Sequence, residues 1–148
     1  MTWRLPPKRL VNDAVTVWIP MADGVRLSAR LWIPTGAEPV PAVLEYIPYR
    51  KSDTYRAHDD VWGPTLAAYG IAYARVDVRG SGDSEGVLVD EYLGLELADG
   101  CAIIAWLAGR GWCSGLALAY GLAVSRPVQL VCGCLRLSAA GMVAVRGL

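Results

Sequence analysis

Apolar and polar positions alternate twice near the start of the chain. Ala14-Val-Thr-Val-Trp-Ile19 sets small or polar residues against apolar ones, and Val25-Arg-Leu-Ser-Ala-Arg-Leu-Trp-Ile33 does so almost strictly. A period of two puts one face of a strand in a core and the other toward solvent. With Ala22-Asp23-Gly24 as a turn between them, the pattern predicts an antiparallel hairpin. Val40–Ile47 and Ile71–Val78 are more continuous apolar runs, as expected of strands covered on both faces. Between them Asp60 to Tyr69 carries Val61, Thr65, Leu66 and Ala68 before Gly70, the order of a short helix closed by a glycine. Leu93, Leu97, Cys101, Ile104 and Leu107 form one stripe of a second helix of about four turns, ending near Gly109. Leu116 to Tyr120 reads as a further strand. Strand, helix, strand, helix and strand behind a hairpin predict an α/β fold: an antiparallel hairpin entering a mostly parallel sheet with crossover helices.

Composition narrows the picture. The 148 residues allow one medium domain and not two ordinary ones, and 54% hydrophobic against 19% charged residues excludes a disordered chain. Sixteen glycines and nine prolines suit many short elements separated by turns rather than a long bundle. Fourteen basic residues balance fourteen acidic ones, so no electrostatic footprint for nucleic acid or an anionic membrane is present. The most apolar window, Val128 to Val145, is broken by Gln129 and Arg136, and the first residues carry charges and prolines where a signal peptide needs an apolar stretch. The expectation is a cytoplasmic chain without a membrane partner. Cys101, Cys113, Cys132 and Cys134 lack the second close pair or neighbouring histidine of a zinc site and read as buried thiols; no metal or cofactor is expected.

Charge is unevenly distributed. All fourteen acidic residues lie at or before Asp99, and residues 115–148 contain only Arg126, Arg136 and Arg146 as charged groups. Residues 1–114 therefore sum to 11 − 14 = −3 and the tail to +3.

Four ordered motifs lie on the predicted elements: Met21-Ala-Asp-Gly-Val-Arg-Leu-Ser-Ala29, Leu44-Glu-Tyr-Ile-Pro-Tyr-Arg-Lys51, Val76-Asp-Val-Arg-Gly-Ser-Gly-Asp-Ser-Glu-Gly86, and Ile104-Ala-Trp-Leu107 with Trp112-Cys-Ser-Gly115. Together they resemble the CocE/NonD hydrolases, Xaa-Pro dipeptidyl-peptidase-like serine hydrolases of the α/β-hydrolase fold, from about residue 14 to residue 115. The resemblance implies that residues 1–115 are the N-terminal portion of such a domain, acting on small ester or amide substrates through an acyl-enzyme. It also implies that the Tyr49 hydroxyl serves the oxyanion hole, and that a Ser-Asp-His triad carries its serine on a strand-to-helix turn a few residues beyond Gly115.

That turn falls at Gly121-Leu122-Ala123-Val124-Ser125, where the Gly-x-Ser-x-Gly pattern calls for serine at 123 and glycine at 125. Ala123 offers no nucleophile, and Ser125, followed by Arg126-Pro127, does not reproduce the turn. His58, the one histidine, reads as a solvated residue of a polar loop before the first helix rather than a base. Asp77 and Arg79 read as partners within their glycine-rich loop, which lacks the Gly-Lys-Ser/Thr of a phosphate loop. The lost serine and the acid-free stretch over 116–148 together imply a reading frame that changes just after Gly115, and a fragment that is inactive as written. The reading from another class is a non-catalytic module that binds a small ligand.

Overall fold

The computed structural model describes residues 8, 10–36, 38–53, 55–90, 94–120, 135–138 and 141–144. Strands β1 (Val15–Pro20) and β2 (Arg26–Trp32) form the hairpin, paired antiparallel from Val15 opposite Leu31 to Pro20 opposite Arg26. Then follow β3 (Val40–Ile47), α1 (Arg56–Ala68), β4 (Ala72–Asp77), α2 (Gly94–Ala108), β5 (Cys113–Tyr120), β6 (Leu135–Ser138) and β7 (Gly141–Ala144). Among the described residues they make one mixed sheet in the order β1-β2-β4-β3-β5-β6-β7. Its parallel part is β4-β3-β5, while β2 meets β4, β6 meets β5 and β7 meets β6 antiparallel.

Two helices cover opposite faces of the sheet, and successive residues of β4 point alternately toward one and the other. Ala72, Ala74 and Val76 join Leu27, Ala29, Leu31, Ala42 and Leu44 in a core that Ile103, Ile104 and Leu107 of α2 close. On the other face Tyr73 packs with Trp32 and with Ala67 of α1. Here Gly63 is required, since a Cβ at that position would lie 2.3 Å from the Trp32 ring.

Three boundaries differ from the sequence reading, each for a local reason. Helix α1 starts at Arg56, four residues before Asp60, because its N-cap Tyr55 makes no side-chain cap bond and so leaves no capping signal in the sequence. Strand β5 starts at Cys113 because it passes through a bulge, where Val40 faces Cys113 but Ala42 faces Ala117, with Gly115 at φ +83°. In α2 the buried face is Asp99, Gly100, Ile103, Ile104 and Leu107, while Leu97 and Leu95 are exposed. The expected stripe is rotated because Asp99 must turn inward to meet Arg79. Leu93, Ala123, Ser125, Cys132 and Cys134 lie outside the described residues. No helix among the described residues is long and apolar enough to cross a membrane.

Candidate active site

The chain leaves β3 for β4 on one side and returns through α2 to β5 on the other side of β3. The parallel part of the sheet therefore has its switch point between β3 and β5, and a crevice outside the carboxyl ends of such strands is where α/β folds bind ligands. Tyr49 stands two residues beyond β3 at that end. Glu45 of β3 pairs with Tyr120, so the carboxyl end of β5 lies beside that of β3, the end at which Tyr49 stands.

Tyr49 is 43% exposed and its ring stacks on Tyr55, with centroids 4.9 Å apart and an interplanar angle of 1°. Its segment is tied down by β4. The Arg75 guanidinium donates through Nη2 to the Tyr49 carbonyl oxygen. Two residues on, and on the same face of the strand, Asp77 accepts the Lys51 backbone N–H at 2.7 Å and the Lys51 ammonium at 2.7 Å.

These charges are buried, and each is paired, as burial demands. Arg75 is fully buried and donates through Nε to Asp59 of α1 at 3.2 Å. Tyr73 donates to Glu45 and lies 3.2 Å from Asp59; burial, and then the bond to Glu45, push its phenol well above the ordinary range. Lys51 also bonds Asp83 at 2.6 Å, which holds the Asp83 carboxyl below the usual carboxylate range. Asp77 is closed off by the Asp83 N–H at 3.0 Å and by Gly82, where a Cβ would come within 2.2 Å of its carboxylate.

Asp77 and Arg79 do not pair with each other. Asp77 bonds Lys51 and the backbone of its own loop. Arg79 leaves the loop, forking onto Asp99 at 2.7 and 2.8 Å and reaching Asp23 of the hairpin turn at 2.7 Å. Strand β4 ends at Asp77 and Arg79 lies in the turn beyond it, where the strand's period of two no longer relates the two side chains, so they reach different partners. Bonds to Asp99 and Asp23 raise the Arg79 guanidinium further above its ordinary value.

His58 is not in a loop. It lies in the first turn of α1, which begins earlier than the sequence signals, with its ring 5.8 Å from Tyr55 and 6.0 Å from Trp62 and Nδ1 3.3 Å from Asp59. Glu45, His58 and Asp59 bring one ligand atom each within 4.8 Å of one another. Tyr73 and Arg75 already engage both carboxylates, so the charge a metal would supply is supplied by a guanidinium. Cys101 is half-buried and Cys113 buried, and burial pushes the Cys113 thiol up.

Sequence reasoning singled out Tyr49 but missed Arg75, Asp59, Glu45 and Lys51 as its support. A signal existed: Tyr73, Arg75 and Asp77 recur every second residue in a strand that otherwise reads as apolar.

A β1-β2-β4-β3-β5 sheet with helices on both faces and a tyrosine at the switch point is the N-terminal part of an α/β-hydrolase fold. The pattern of the X-Pro dipeptidyl-peptidase (S15) family matches residues 23–131, and the chain belongs to that family, in its CocE/NonD branch. A Mycobacterium bovis protein named as a serine esterase is 34% identical over 122 residues, covering 70% of this chain and 19% of that protein. Cocaine esterase of a Rhodococcus species is 32% identical over 108 residues, covering 69% and 18%. A CocE/NonD hydrolase structure from Staphylococcus aureus superposes with a TM-score of 0.60 at 20% identity, over 74% of this chain and 22% of that one. An α-amino acid ester hydrolase gives 0.57 at 26% identity, over 80% and 22%. The matched part thus spans about a fifth of the length of these relatives.

Proposed function

We propose that the chain is the N-terminal portion of a serine hydrolase that cleaves small ester or amide substrates through an acyl-enzyme, with the Tyr49 phenol donating to the oxyanion. The observation that supports this is the place of Tyr49: an exposed phenol on a backbone tied to β4, at the end of β3 and beside the exit of β5. A donor held before the reaction spends no free energy on reorganising as charge develops on the acyl oxygen. The named activities of the curated relatives, esterases, point the same way.

As written, the chain carries Ala123 where the nucleophile belongs and His58 as its one histidine. His58 lies on α1, engaged with Asp59. We therefore propose that this polypeptide forms no acyl-enzyme, and that residues 116–148 are read in a changed frame. Against the second proposal stands the family match, which continues to residue 131, past Gly115.

Incubation of the purified chain with p-nitrophenyl acetate is expected to release nitrophenol at the buffer rate. Release that a serine-directed phosphonate abolishes would overturn the inactive reading. Sequencing of the gene through the codons for residues 115–148 tests the origin: a Gly-x-Ser-x-Gly in another frame, followed by Asp and His, supports it. Absence of that pattern in every frame sinks the changed-frame proposal and favours the ligand-binding module.

A further inference from the structure

We propose that Arg75 is the positioning residue for Tyr49, a role that rests on the reading of Tyr49 as the oxyanion donor. The Tyr49 hydroxyl has no hydrogen-bond partner among the described residues, so among them the backbone at residue 49 and the ring stacked on it set where it points. Arg75 touches both. Its Nη2 donates to the Tyr49 carbonyl oxygen, and its guanidinium carbon stands 5.6 Å from the centre of the Tyr55 ring, on which the Tyr49 ring stacks.

Arg75 can do this because it is itself buried and bonded in place. It lies in the middle of β4, opposite Glu45 of β3, is fully buried, and is held through Nε by Asp59, a buried residue of α1. Its Nη1 has no partner among the described residues, so the bonds to Asp59 and Tyr49 are the ones that fix the fork. A planar guanidinium serves two acceptors in fixed directions at once. The next residue on that face, Asp77, takes the Lys51 N–H, so the Tyr49-Arg50-Lys51 segment is bound at both ends by one strand.

The competing explanation is that Arg75 only neutralises Glu45 and Asp59 beneath the site. Arg75→Lys separates the two, because a lysine keeps the charge beside Asp59 but has no forked second N–H for the Tyr49 carbonyl. The readout is near-ultraviolet circular dichroism of the full chain, in which the part due to the tyrosine stack is the difference between the unaltered chain and Tyr55→Leu. Arg75→Lys is expected to melt cooperatively and to lose about half or more of that difference, since ring coupling depends steeply on separation and tilt. A cooperatively folded Arg75→Lys that keeps the whole difference would overturn the assignment. If Arg75→Lys does not fold, the unaltered chain decides: a nuclear magnetic resonance coupling across the hydrogen bond from Arg75 Nη2 to the Tyr49 carbonyl carbon supports the assignment, and its absence overturns it. Neither readout involves ester cleavage, so a failure of the hydrolase reading and a failure of this assignment are told apart.

Discussion

At the scale of single residues, the chain places charge where charge is costly and pairs it there. Lys51 and Asp77 are both buried and 2.7 Å apart, and Asp83 at the rim completes the pair. Hydrogen bonds to the charged form of a carboxyl favour that form, which is why Lys51 draws Asp83 down. A carboxyl with a folded-state pKa below its unfolded value stabilises the fold above the unfolded pKa, about 3.9 for aspartate, and that stability is lost as pH falls through the folded value. Asp83→Asn is therefore expected to lower the melting temperature at pH 7, with the difference from the unaltered chain shrinking as pH falls through the lowered folded-state pKa of Asp83. The side chain is 58% exposed, so the difference is small, and a gap that widens on acidification contradicts the pairing.

Elements meet here through single close approaches. Helix α1 lies on β2 and β4 where Gly63 leaves room for the Trp32 ring, and Trp32 in turn contacts Tyr73 with ring centroids 5.5 Å apart. In an unconstrained helix, alanine is better than glycine by about 1 kcal/mol. At residue 63 the sign reverses, because a methyl 2.3 Å from ring carbon forces helix and sheet apart. Overpacking of this kind costs about 1–3 kcal/mol, so urea denaturation of Gly63→Ala is expected to show a net loss rather than a gain. The same helix delivers Asp59 to Arg75, so its seating on Trp32 and the support of Tyr49 are linked through one element.

For the molecule as a whole, the exposed surface carries a feature that the core does not explain. Val87, Leu88 and Val89 follow the glycine-rich loop and lie with Leu95 at one groove, and Val87 and Val89 are 73% and 82% exposed. Adjacent exposed apolar side chains favour association. The pair Val87→Lys with Val89→Glu is expected to lower the sedimentation coefficient at tens of micromolar, about the range where weak self-association shows. An unchanged coefficient would mean that this face takes no part.

Much of the architecture was legible in one dimension. The period of two in Val25–Ile33 announced the hairpin, the apolar run Val40–Ile47 coincides with β3, and the family resemblance pointed to Tyr49, just past a strand end. Periodicity reports burial, and burial is what a strand or helix face needs to be recognised. What periodicity does not carry is who pairs with whom. Asp77 and Arg79 are neighbours in sequence but take partners 26 and 20 residues away, and the α2 stripe turned toward Asp99 because a buried guanidinium outweighs the position of a leucine. The start of α1, and with it the setting of His58, was silent because no side chain caps it. By itself the sequence determined the hairpin, the order of elements as far as β5 and the absence of a serine at 123, while β6 and β7 went unread. Only the tertiary structure decided that Arg75, Asp59 and Lys51 hold Tyr49, because buried charges choose partners by distance in space, where desolvation leaves them no alternative.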